Sequence, residues 1–458
     1  MRNGSRPHPA VTAPPLSGAA AAGPSARLWV ASPAHVLPSP RVRAVETEDR
    51  PPLTIDADAE RRLWTLGAPP GVLGRPVVAG GTVYLPVAGG RLAAVDPDRG
   101  RVLWCSAPLT EPDTGRLVPV GEVVVIPVQG EYGRSGYVAL DAATGTVRWT
   151  RIKSDLHRVA AAGSTLVLWN DTYDERAKIA GIDALTGELL WENEFQRIWR
   201  LLVRGERVIL DAGGLRALDA RSGEELWSKG YGSALPEPGS PLPGQWGTDN
   251  AAVFHAWKGG TAPELSLCAS DTGEQLTATR FPRRALRHFS RPPTLLDGGR
   301  VLFAESYGRR LQVYAHSDLA TAEPLLELRL ARWRFTSFSG NPLCVGDWVY
   351  AVAGRRYQVY AARCGDGSGL RPLSATAPDG RAVRLPQTVA GPRHLFLSNG
   401  RTVAAVRDGR VLWTTATDTY DSWPVPLGSD RVLFPSRSRT ADGYRLHCAD
   451  AETGRRLT

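Results

Sequence analysis

The residues able to do chemistry are few and scattered. The eight histidines (His8, His35, His157, His255, His288, His316, His394 and His447) show no metal-ligand spacing. No H-E-x-x-H, G-x-S-x-G or phosphate-binding loop occurs, so the linear signatures of zinc hydrolysis, serine hydrolysis and nucleotide binding are missing. One oxygen-rich run, Asn170-Asp171-Thr172-Tyr173-Asp174-Glu175, suggests a Ca²⁺ loop. It lacks the Gly-containing twelve-residue frame of an EF-hand, and solvated loop acids are the simpler reading. Asp-Thr-Tyr-Asp recurs at 418–421, in a loop between units. The five cysteines (Cys105, Cys268, Cys344, Cys364 and Cys448) are odd in number, far apart and without a C-x-x-C. They read as thiols in or near strands, which favours a reducing compartment and a cytoplasmic location, with an extracytoplasmic one as the alternative. Cys268 and Cys448 each precede an Ala and read as packing residues of equivalent hairpins.

Charge offers a second lead. The net charge is +9, but 51 of the 55 basic residues are Arg, the pattern of a GC-rich bacterial genome. Arg excess alone therefore says little about nucleic acid, and no nucleic-acid partner is expected. The distribution says more. Residues 280–384 hold seventeen Arg and eight acids, a difference equal to the net charge of the whole protein. A composition bias would spread that excess evenly. Arg283, Arg284, Arg287 and Arg291 lie in a connection, and Arg332 and Arg334 flank Trp333. These seven residues are the candidate docking surface for an acidic protein segment or another polyanion, which the guanidinium fork suits. The simpler alternative is a solvated basic flank.

The elements that must position such groups are set by a repeat. Its frame is an Asp, a Gly four residues later and a Trp four residues after that: Asp96/Gly100/Trp104, Asp141/Gly145/Trp149, Asp183/Gly187/Trp191 and Asp219/Gly223/Trp227. Partial copies are Asp56/Trp64, Ala269/Gly273/Thr277, Gly409/Trp413 and Asp450/Gly454/Thr458. An alternating apolar strand runs into the Asp, which accepts backbone N–H bonds and starts a tight turn. The Gly supplies a positive φ. A second strand then carries the Trp, whose repeated place suits packing between units. About 20 residues before each Asp lies another strand pair, so each unit is four short strands, the blade of a β-propeller. The expected fold is all-β, with residues 1–50 an irregular tail and 51–458 the propeller.

The Ala-Leu-Asp-Ala-x-Thr-Gly-x-x-x-Trp pattern at 139–149 resembles the repeat of pyrroloquinoline-quinone (PQQ)-type propellers, over roughly residues 53–458. That group includes quinoprotein alcohol dehydrogenases and a non-enzymatic outer-membrane assembly lipoprotein. The resemblance implies eight blades, and a non-catalytic scaffold for protein–protein interaction. The alternatives are a quinoprotein oxidoreductase using PQQ and calcium, or a binder of an acidic or polyanionic partner. The family's enzymes carry an adjacent-cysteine disulfide over the quinone; no two cysteines here are adjacent, so neither catalysis nor PQQ or calcium is expected.

Along the chain, hairpins centre near 56–64, 96–104, 141–149, 183–191, 219–227, 269–277, 313–330, 357–376, 405–413 and 450–458. The first is a half unit that can pair with the last to close the ring. Nine units remain against the eight that the resemblance implies. Between 280 and 384 the Gly turn and terminal Trp are missing, although residues 314–318 and 360–364 still read as third strands. Trp257, Trp333, Trp348 and Trp423 fall outside the frame and are candidate exposed anchors. No segment approaches the ~20 apolar residues of a membrane helix, and the protein is expected to be a monomer.

Overall fold

The computed structural model describes residues 54–456 apart from 231–250, 281–293, 316–325, 330–337 and shorter connectors. Residues Pro51–Thr458 form one compact unit; the expected tail, residues 1–50, lies outside the described residues. Every regular element described is a β-strand. The strands assemble into antiparallel meanders in which the last strand of one sheet leads to the first of the next. The sheet at 77–105 shows the plan: Val77–Ala79, Thr82–Val87, Arg91–Asp96 and Arg101–Cys105, paired in that order. Equivalent four-stranded sheets occupy 118–152, 158–195, 200–229, 294–329, 338–372 and 387–416, and a three-stranded one 251–280. The unit is a β-propeller.

The ring closes through the chain's two ends. Val425–Leu427, Arg431–Arg437 and Tyr444–Asp450 supply three strands, Leu63–Ala68 the fourth and Thr54–Asp58 a fifth. Leu63–Ala68 pairs with the C-terminal strand from Trp64↔Cys448 to Ala68↔Tyr444. This corrects the reading of Asp56/Trp64 as a copy of the frame, since Asp56 pairs with Thr65 across a separate hairpin. Trp64 instead takes the frame Trp's place in the closing sheet: it stands opposite the residue two before Asp450, as Trp104, Trp149, Trp191 and Trp227 each stand opposite the residue two before their own Asp. With this closing sheet the described residues hold nine blade-sized sheets, where the resemblance implied eight blades.

Each frame residue has a defined contact. Asp141 Oδ1 accepts the N–H groups of Ala143 (3.0 Å) and Thr144 (2.8 Å), and Asp96, Asp183, Asp219 and Asp450 do the same in their own turns. Arg148 and the Thr144 hydroxyl also bond Asp141, and together they hold its carboxyl at about 2. Gly187 closes its turn with N–H to the Asp183 carbonyl at 2.9 Å and has φ +75°. A Cβ there would come within 2.7 Å of the Trp149 ring, so the site demands glycine twice over.

That contact builds the ring. Trp149 lies on the turn of the following sheet, and its Nε1–H donates to the Ala184 carbonyl at 2.9 Å. Trp64, Trp104, Trp191, Trp227 and Trp413 repeat the arrangement on Gly100, Gly145, Gly223, Gly273 and Gly454, donating to Pro97, Ala142, Ala220, Ser270 and Ala451. Where the frame fails, another ring substitutes: Trp348, from the second strand of sheet 338–372, covers Gly409. It is a packing residue and not an exposed anchor.

Each outer strand carries a bulge one residue before the frame Trp, at Leu103, Arg148, Leu190, Leu226 and Leu412. A bulged residue has no partner opposite and turns outward, so Leu103, Leu190 and Leu226 are exposed beside a docked Trp. The two cysteines thought equivalent are one residue out of register: Cys268 precedes the turn residue Ala269, whereas Cys448 lies two before Asp450. A one-residue slip changes the sheet face. Both are nevertheless fully buried, because blades pack on both faces.

Candidate functional site

The frame residues Asp, Gly and Trp are engaged in turns and in contacts between sheets. What remains for function is the surface, the ring seam and the mouth where the first strands begin.

At the seam, Arg431 is buried and reaches the Pro97 and Arg62 carbonyls, with Nη2 2.6 Å from Asp98 Oδ1. Arg62, more exposed, bridges Asp98 and Asp430 at 3.3 and 2.7 Å. One strand further out, His447 sits between Thr65 Oγ1 (3.0 Å) and Ser436 Oγ (2.7 Å), beside the Phe434 ring. Burial, aided by the charges of Arg456 and Arg445, pushes its pKa down to about 3. It is therefore a neutral imidazole joining three strands of the closing sheet. His394, also buried, lies 3.0 Å from Glu452, which Arg407 also contacts at 2.5 Å. Seam and histidines are built as structural joints. Sequence inspection missed them because their partners lie up to 382 residues apart.

At the mouth, Arg75 stacks over Trp423 with its Cζ 5.4 Å from the ring centroid, and Arg116 Nη1 donates to the His157 carbonyl at 3.1 Å. Both contacts join neighbouring sheets. First strands of successive sheets lie side by side: 118–120 with 158–162, 158–162 with 200–204, and 425–427 with 77–79.

Of the sequence-derived candidates, Arg283, Arg284, Arg287, Arg291, Arg332, Trp333 and Arg334 lie outside the described residues. Of the imagined Ca²⁺ run only Asn170 is described. The Asn170 side-chain oxygen accepts the Lys178 N–H at 2.8 Å, and residues 171–175 are outside the description. Among the described residues no group of three His, Cys, Asp or Glu could hold a metal ion. No two cysteines of the sequence are adjacent. Among the described residues no helix is long and apolar enough to cross a membrane.

Comparison with known proteins agrees with the repeat. Among solved structures the chain is similar to BamB from Moraxella catarrhalis, at 15% identity and TM-score 0.46, covering 82% of this chain and 93% of that one. It is also similar to a quinohemoprotein alcohol dehydrogenase from Pseudomonas putida, at 14% identity and TM-score 0.42, covering 85% and 76%. A europium-containing methanol dehydrogenase matches at 11% identity and TM-score 0.44, covering 83% and 92%. At these scores the likenesses carry no argument of their own. No curated protein matches the sequence. A family model described as outer membrane protein assembly factor BamB matches residues 25–174 and 134–371. That is more than half of the chain, on the stretch that carries all four intact copies of the frame, and the chain therefore belongs to the PQQ-like β-propeller family that this model describes.

Proposed function

We propose that the protein is a non-catalytic propeller scaffold that holds a protein partner. The observation that carries this reading is the use of the repeat itself. The frame carboxylates bind their own turn amides and the frame indoles lie on the next glycine, so the residues that define the family here act as joints. The family model's description as an assembly factor points the same way. Function then rests on surfaces shaped by connectors between blades, where propellers vary most. The excess of seventeen Arg over eight acids at 280–384 makes the proposed partner acidic.

Affinity capture on the immobilised protein, read by mass spectrometry, should recover a reproducible partner that Arg283→Ser/Arg284→Ser/Arg287→Ser loses at low salt. The reading fails if PQQ with Ca²⁺ binds stoichiometrically and supports dye reduction. Location is open to the same kind of test. The cysteine content favours a reducing cytoplasm, the family description the cell envelope, and fractionation of the producing cells decides between them.

A further inference from the structure

Counting back four residues from the last paired residue of a first strand reaches the rim of the mouth. From Ala79, Val120, Ala162 and Arg204 this gives Arg75, Arg116, Arg158 and Arg200. Four successive sheets therefore carry an arginine at one register position. The same count from Leu427, in the sheet before them, gives Trp423, the ring over which Arg75 stacks. That contact, and the bond from Arg116 to the residue before Arg158, show that this position in one sheet reaches its neighbour. Arg75, Arg116, Arg158 and Arg200 stand in four successive sheets and so form one arc; in sheets 294–329 and 387–416 the same position lies outside the described residues.

We propose that this arc, from Trp423 through Arg75 and Arg116 to Arg158, is a binding site for an extended acidic polypeptide segment. The arc residues are distinct in sequence from the arginines at 283–334. Arg75 and Arg116 are exposed, and Arg158 is half-buried. In the connectors that lead into these strands and at the strands' first residues, Arg75, Arg116, Lys153, Arg158, Arg197 and Arg200 stand against Glu111, Asp113 and Asp155, six basic residues against three acidic. Cα atoms of first strands 118–120 and 158–162, and of 425–427 and 77–79, approach within 8 Å. An extended chain rises about 3.3 Å per residue, so a carboxylate every second or third residue meets successive guanidinium forks. A small dianion would engage one pair of arginines and leave the rest. Trp423 closes the arc with an apolar face.

This inference deepens the scaffold reading by naming a partner chemistry, but its test needs no natural partner. Fluorescein-labelled octaglutamate is titrated at 50 mM salt and followed by anisotropy. Wild type should bind, and Arg75→Ser/Arg116→Ser should bind about tenfold more weakly, at a few-fold per exposed charge pair. Arg99→Ser/Arg221→Ser, with the same charge change in the turns at the other end of the sheets, should stay within about twofold. The difference should close at 0.5 M salt. If the double variant melts early, Arg116→Glu alone replaces it and should abolish binding. Equal binding by wild type and a folded arc variant at 50 mM salt refutes the site. A dT8 oligonucleotide that binds more tightly, and is lost in the same variant, refutes the polypeptide assignment. Failure to capture any cellular partner would count against the scaffold reading and leave this result standing.

Discussion

Trp64→Ala is the sharpest test of how the ring is held. Trp64 is fully buried, lies on Gly100 and donates to the Pro97 carbonyl at 3.0 Å. Burying an indole removes roughly 150–250 Å² from water. At about 25 cal/mol/Å² that is about 4–6 kcal/mol, and a compact unfolded state lowers it by roughly a quarter. The lost hydrogen bond adds little, because the Pro97 carbonyl still accepts from Arg431. The expected cost is therefore about 3–5 kcal/mol, the usual range for truncating a buried Trp. Trp64→Phe should lose about 1–2 kcal/mol, since it keeps most of the contact and gives up the bond. Urea unfolding followed by far-UV circular dichroism measures both, with Leu103→Ala as control. Leu103 occupies a bulge, is 43% exposed, and should change stability by less than about 0.5 kcal/mol. If Trp64→Ala falls within about 0.5 kcal/mol of wild type, the N-terminal strand does not close the ring as argued. A control as costly as the test would sink the assignment of bulge and dock.

Other consequences can be measured on the same protein. Gly187→Val should destabilise by more than a typical surface change, about 3 kcal/mol or more, because a β-branched residue resists φ +75° and its side chain meets the Trp149 ring; thermal melts decide. His447 has a folded pKa of about 3 against an ordinary value near 6.5, so the unfolded chain binds the proton more readily and stability falls as pH drops from 6.5 towards 3, by up to about 1.4 kcal/mol per pH unit. His447→Gln should flatten stability between pH 6 and 4; an unchanged slope refutes the assignment. Burial pushes the Cys268 thiol up to about 11 and Cys448 to about 12, while Cys105 is exposed. A thiol reagent at pH 8 should therefore label Cys105 in the native protein and reach Cys268 and Cys448 only after unfolding, as peptide mapping would show. Titration of the unfolded chain without reductant should find five thiols.

The repeat frame was legible because it is local. Asp141, Gly145 and Trp149 fall within nine residues, each type has one strong physical reason to be there, and four intact copies make chance an unlikely source. The turn, the positive φ and the docking of the indole between units could all be read from that spacing. What lay hidden is set by partners distant in sequence. Trp64 resembled a worn copy of the frame until its pairing with Cys448 showed which sheet it completes. Trp348 lacked the frame altogether, yet fills the same gap from another strand. The arginines at 75, 116, 158 and 200 are spaced by 41 or 42 residues, so a signal was present. A count of charges along the chain singled out 280–384 instead, because linear density does not record register. Sequence alone determines which short segments form strands and turns, since those choices are made within a few residues. Which strand ends gather at one mouth, and which ring covers which glycine, depends on closing a loop of several hundred residues, and only the folded ring decides it.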